Sequence, residues 1–166
     1  VERLTFSEVR RLSLRVAGGL MALGIGSGDV VAAQLPSWWH YFVLYPACAR
    51  IGAVLNPLMP IFRERELKFM LGFPRTKLII VPKSFRGFDY PAMIGRLRGE
   101  LPDLRHMLVV GGEAPETSFD SILLEPDHEA APGFAANLAE RRPGANDVTE
   151  LMYTSGTTGQ PKGVMH

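Results

Sequence analysis

The sequence predicts an α/β fold with a mainly parallel sheet flanked by helices. Short, almost wholly apolar runs recur at 30–35, 53–55, 77–81 and 107–110. Segments with helical spacing alternate with them at 6–23, 38–51, 63–71 and 90–101. Strands that are apolar throughout, rather than at every second position, are the kind buried on both faces. Their alternation with helices implies βαβ units, whose crossovers are right-handed in nearly all cases.

Each element has its own signal. Thr5 and Glu8 have the spacing of a capping box, and Phe6, Val9, Leu12, Val16, Leu20 and Leu23 then line one helix face, closed by Gly24. Gly26, Gly28 and Asp29 predict a turn, and Pro36 ends the strand that follows. Ser37 is placed to cap the second helix, which Gly52 terminates. Asn56-Pro57 follows the second strand, and Gly111-Gly112 follows the fourth.

Residues 111–147 differ in character. They are rich in Gly and Pro, and from 113 to 140 they hold seven acidic residues and no Lys or Arg. This reads as a solvated surface connection with helical turns near 118–124 and 134–142, or as a regulatory or partner-binding segment.

Composition excludes several classes. Of 166 residues, 46% are hydrophobic and 21% charged, so the chain is not disordered. A formal net charge of +1 gives no case for a nucleic-acid surface or a polybasic anchor. The closest approach to a span of ~20 apolar residues is 38–58, which His40, Arg50, Asn56 and two prolines interrupt. No transmembrane segment is therefore expected. Cys48 is the only cysteine, which precludes an internal disulfide and fits a reducing, cytoplasmic location. The sequence starts at Val1 and stops at His166 just after a glycine-rich motif, so a piece of a longer chain is expected.

That motif carries the chemistry. After a brief apolar strand at 151–153 come Thr154, Ser155, Gly156, Thr157, Thr158, Gly159, Gln160, Pro161, Lys162 and Gly163. Glycines let backbone approach an anion, and successive N–H groups form an anion-binding nest. Hydroxyls add donors, and a lysine adds a cation that can meet developing charge. The spacing is not that of a Walker A loop, because two residues separate Gly156 from Gly159 and Gly163 follows Lys162. Nor is 24–28 a dinucleotide fingerprint, because it follows a helix and precedes a strand. By composition alone the segment could equally be a flexible loop.

The exact string from Tyr153 to Val164 resembles the signature of the adenylate-forming superfamily, which includes acyl- and aryl-CoA synthetases, luciferases and peptide-synthetase adenylation domains. The likeness extends upstream through 4–6, 28–31 and 52–58, and 56–71 is similar to bacterial CoA ligases for medium-chain or cyclohexane-type carboxylates. It implies that 1–166 is an incomplete N-terminal part of an AMP-binding domain, ending just after the phosphate-binding loop at 154–163. It also implies ATP-dependent activation of a carboxylic acid to an acyl-adenylate, followed by transfer to coenzyme A, with Mg2+ accompanying ATP. A role in fatty acid metabolism follows. Thr154, Ser155, Gly156, Thr157, Thr158, Gly159 and Lys162 would bind the β- and γ-phosphates. The remaining machinery of the family would lie beyond His166, so no catalytic residue is expected within these residues and the isolated chain is expected to be inactive. An adenylation domain that loads a carrier-protein thiol, or a non-catalytic fragment, are the alternatives.

Other residues keep two readings. Trp38, Trp39, Phe42 and Tyr45 crowd one helix, as core or as an acyl or membrane contact. His166 could line the acyl side of the site. Cys48 reads as core. From 63 to 105 there are ten Lys or Arg against five acids, either a solvated face or a patch for CoA phosphates.

Overall fold

The computed structural model describes residues 3–154 and 161–166. Its centre is a four-stranded parallel sheet in the order β2-β1-β3-β6, built from β1 (Val30–Ala33), β2 (Val54–Pro57), β3 (Leu78–Pro82) and β6 (His106–Val110). β4 (Ser84–Phe85) and β5 (Phe88–Asp89) form a small separate hairpin, and β7 (Leu151–Thr154) and β8 (Lys162–Met165) form another.

Side chains leave successive strand residues on opposite faces, and the core divides accordingly. Val31, Ala33, Leu78, Ile80, Leu108 and Val110 join one cluster, with α1 (Phe6–Ala22) and α2 (His40–Arg50). Ala32, Ile79, Val81 and Val109 join the other, with α3 (Glu64–Gly72) and α4 (Tyr90–Leu97). The chain moves outward from β1 to β2, then crosses back over β1 to β3. If every crossover keeps one hand, that reversal requires α2 and α3 to lie on opposite faces. It also creates a topological switch point at β1 and β3, where the carboxyl ends of the strands diverge.

Local signals act as the sequence implies, with instructive exceptions. The Thr5 capping box forms: Oγ1 accepts from the Glu8 N–H at 3.2 Å, and Glu8 Oε2 accepts from the Thr5 N–H at 2.7 Å. Ser37, by contrast, caps nothing. α2 begins at His40 with Trp39 as its uncapped N-cap residue. The chain first makes tight turns in which the Trp38 N–H donates to the Pro36 carbonyl and the Tyr41 N–H to the Trp38 carbonyl.

The acidic connection is not a purely solvated one. Phe119 and Leu123 within it are fully buried against α1, and a π-helical turn runs over Asp120–Leu124. The packing is possible because α1 offers Gly18 and Gly19 there. A Cβ on Gly18 would sit 2.5 Å from His128 Cβ, and one on Gly19 would sit 2.6 Å from Leu123 Cδ2. Arg15 then fastens the segment. Its Nε donates to both Glu129 carboxylate oxygens at 2.9 and 3.0 Å, and one Nη donates to the Leu124 carbonyl at 3.1 Å. The expected second helix of this region is α5 (Phe134–Glu140).

Candidate phosphate-loop site

The glycine-rich motif is carried by the β7–β8 ribbon. β7 meets the edge of the main sheet beside β2. Leu55 and Glu150 form a parallel bridge, and the Leu55 N–H donates to the Thr149 carbonyl at 3.0 Å. β7 therefore runs in the direction of β2 and delivers Thr154 toward the carboxyl ends of the strands. That is the end at which open α/β sheets bind ligands.

Antiparallel pairing then sets the mouth of the loop. Thr154 stands opposite Lys162, Tyr153 opposite Gly163, Met152 opposite Val164 and Leu151 opposite Met165. Thr154 Oγ1 lies 3.5 Å from the Lys162 carbonyl. Directly opposed residues project to the same face of a ribbon, so the hydroxyl and the ammonium stem share one face at the base of the loop. Both residues are exposed. Of the residues expected to hold phosphate, the structure thus brings together Thr154 and Lys162. Ser155, Gly156, Thr157, Thr158 and Gly159 lie outside the described residues.

The alternate face anchors the ribbon. Tyr153 turns inward, edge-on to the Phe69 ring at 6.1 Å between centroids, and its hydroxyl donates to the Met70 carbonyl at 3.3 Å. Burial pushes this phenol up to about 12, so it remains a donor. Gly163 leaves room for this arrangement, because a Cβ there would meet Leu151 Cδ1 at 3.1 Å. Neither Tyr153 nor Phe69 was singled out in the sequence as a support for the loop. The signal was their position: Tyr153 directly precedes the motif, and Phe69 lies on the helix packed beside it.

The other candidates sort clearly. His166 is at the opposite end of β8 from the loop, its N–H donating to the Glu150 carbonyl at 2.9 Å. Four residue steps along the strand separate it from Lys162, roughly 13 Å. Trp38 and Trp39 pack against the core, whereas Phe42 is exposed. Trp39 stacks on His40 at 4.1 Å between ring centroids, and burial lowers the His40 imidazole to about 4, leaving it neutral at physiological pH. Much of the basic stretch from 63 to 105 is spent on local partners. Lys77 pairs with Asp29, Lys83 with Glu113, Arg75 with Asp103 and Arg96 with Glu64, while Lys68 contacts Glu100. The Arg63 guanidinium lies 4.0 Å from the Phe88 ring centroid. The β4–β5 hairpin was not foreseen; Arg86-Gly87 at its tip, both with positive φ, was the signal. Among the described residues no group of three His, Cys, Asp or Glu side chains could hold a metal ion. No helix among them is long and apolar enough to cross a membrane.

The parallel sheet with its switch point, and the ribbon that opens between Thr154 and Lys162 at its carboxyl end, define an open α/β domain. Residues 1–166 match the family described as AMP-binding enzyme, and the chain belongs to that family. It is 35% identical over 162 residues to a 2-hydroxy-7-methoxy-5-methyl-1-naphthoate–CoA ligase of Streptomyces carzinostaticus, covering 96% of this chain and 29% of that protein. It is likewise 35% identical over 161 residues to the medium-chain fatty-acid–CoA ligase of Escherichia coli (strain K12), covering 97% and 28%. The apo structure of MbtA from Mycobacterium smegmatis superposes with a TM-score of 0.78 at 30% identity, covering 99% of this chain and 29% of that one. The chain thus spans less than a third of the length of these relatives. Its α/β architecture is theirs, and the resemblance read in residues 153–164 holds along its whole length.

Proposed function

We propose that these residues are the N-terminal part of an ATP-dependent acid–thiol ligase. The enzyme would activate a carboxylic acid as its acyl-adenylate and pass the acyl group to coenzyme A. The observation that carries this reading is the ribbon mouth, with Thr154 opposite Lys162 at the carboxyl end of the sheet, in a chain 35% identical to two CoA ligases. The acid is a medium-chain or cyclic carboxylate, in keeping with the names of those relatives. The lone buried Cys48 is in keeping with a cytoplasmic setting.

In this reading the loop at 154–163 receives the β- and γ-phosphates. Backbone N–H groups freed by Gly156 and Gly159, with the hydroxyls of Thr154, Ser155, Thr157 and Thr158, hold the pyrophosphate as its charge grows. Lys162 supplies a cation at the mouth. Such donors accelerate the reaction to the extent that they bind the leaving group more tightly than the ground state. The described residues do not fit a magnesium cage, and the ion would ride on the nucleotide's own phosphates. The 166 residues alone would have no adenylation activity.

The test uses the full-length enzyme. Thr157→Ala or Thr158→Ala should slow acyl-adenylate formation about tenfold to a hundredfold, the worth of one charge-assisted hydrogen bond. Thioester formation from supplied acyl-adenylate should change far less. Lys162→Ala should act in the same direction. Equal losses in both half-reactions with a lowered melting temperature would make the loop purely structural. Efficient acyl transfer to a carrier-protein thiol but not to coenzyme A would reassign the acceptor.

A further inference from the structure

We propose that the groove between α1, α2 and α5 is a second ligand site, for a single carboxylate borne on an apolar tail. It lies away from the phosphate loop. α2 begins past the carboxyl end of β1 and ends at Arg50, just before β2 starts, so Arg50 sits at the amino end of the sheet. The phosphate loop leaves from the carboxyl end.

The groove, open to solvent, has a volume of about 830 Å³, within the range of roughly 300–1,000 Å³ typical of small-molecule sites. Leu14 of α1, Ala49 of α2, and Phe134 and Leu138 of α5 give it apolar walls. Two cations, Arg50 and Arg142, also line it. Arg50 Nε is buried and has no hydrogen-bond partner among the described residues. Neither arginine takes part in a salt bridge among those residues.

The one carboxylate on the lining, Glu129, is already engaged by Arg15. Burial opposes the Glu129 charge, but the Arg15 hydrogen bond and charge, with a backbone hydrogen bond and Asp127, together hold its pKa below the ordinary value. The groove lining therefore carries two arginines beside apolar residues and no unengaged acid. A guanidinium fork matches the two oxygens of a carboxylate. The occupant that satisfies both the walls and the arginines is an amphipathic acid.

The test titrates the full-length enzyme calorimetrically with 1-octanesulfonate. This probe has the charge and tail of a medium-chain acid but cannot be converted to an acyl-adenylate. Saturable binding is expected, weakened about tenfold to a hundredfold by Arg50→Gln or Arg142→Gln, as loss of a charge-assisted hydrogen bond implies. Ala135→Trp should abolish it, because Ala135 is an exposed residue of α5 on the groove wall, where an indole fills the space without entering the core. Uncharged 1-octanol should bind weakly and without regard to Arg50. Adenylation of the enzyme's own acid should survive in all three variants. The proposal is overturned by an absence of saturable binding to the wild type. It is equally overturned by undiminished affinity in Arg142→Gln and Ala135→Trp, which would place the probe in the acyl pocket of the reaction site. Both of those variants change exposed positions, so they keep the test open if Arg50→Gln fails to fold.

Discussion

The Tyr45 hydroxyl of α2 hydrogen-bonds to the Glu150 carboxylate at 2.5 Å. This contact ties the helix after β1 to the residue that leads into β7. Burial, reinforced by the bond to Glu150, raises the phenol well above its usual range, so it stays protonated and donates at any physiological pH. Tyr153 is held from the other side of the sheet by α3. The β7–β8 ribbon is thus braced on both faces of the domain.

Tyr45→Phe should remove one brace and lower stability by about 0.5–1.5 kcal/mol, the net worth of a hydrogen bond. Tyr45 is partly exposed, which favours the lower part of that range. Denaturant unfolding, with hydrogen exchange at the Thr149 and Glu150 amides as a local probe, checks this. Unchanged stability together with unchanged exchange would mean that the contact does not support β7.

Gly18→Ala and Gly95→Ala should have opposite signs. Alanine in a helix gains about 1 kcal/mol over glycine. At Gly18 the new methyl carbon would overlap His128 Cβ, and overpacking of about 1–3 kcal/mol outweighs the gain. Gly95 on α4 has nothing within 4 Å of an added Cβ, so only the gain remains. Thermal melts of the two variants, with hydrogen exchange over 118–130, separate the effects. A Gly18→Ala chain as stable as Gly95→Ala would refute the close packing of the acidic segment on α1.

Arg15→Ala should weaken the acidic segment's attachment most where Glu129 is ionised. In the wild type, Glu129 has a lowered pKa in the folded state. A depressed carboxyl contributes stability that is fully present above the unfolded value of about 4.3 and fades as pH falls through the folded one. The stability difference between wild type and variant should therefore hold steady from pH 6 to 8 and shrink below about 4.3. A difference that persists unchanged at about pH 3 would show that Arg15 acts through its bond to the Leu124 carbonyl instead.

Cys48 should be silent toward thiol reagents in the native chain. It is fully buried, and burial pushes its pKa up to about 12, so the reactive thiolate is scarce. Its labelling rate in increasing denaturant should follow global unfolding. Rapid labelling in native buffer would mean that α2 opens locally.

Much of this was legible in the residues. The apolar runs marked the four parallel strands because a strand buried on both faces is apolar almost throughout, although β2 runs on through Asn56 and Pro57, which the sequence placed after it. Thr5 and Glu8 announced their helix because a capping box is wholly local. What escaped notice depended on distant partners. Ser37 had the chemistry of a cap, but its neighbours Pro36 and Trp38 turned the chain before the helix could begin. The 113–140 stretch read as solvated because its charges outweighed Phe119 and Leu123. The glycine that admits Leu123, Gly19, lies on another helix, more than a hundred residues earlier. At the site, Thr154 and Lys162 were expected to work together, but their direct opposition required β8, which no periodicity in so short and exposed a strand could reveal.

The bridge between Leu55 and Glu150 also has a bearing on the order of assembly. Contacts between residues far apart in sequence form late, since loop-closure entropy must be met before they yield any gain. β1, β2 and their helix can associate from neighbouring stretches of chain, but β7 has no seat until β2 is already an edge. During synthesis the β7–β8 ribbon would therefore emerge onto a finished platform, and a chain with a slow-forming β2 would expose the apolar side of that ribbon, Leu151 and Tyr153, while it waited.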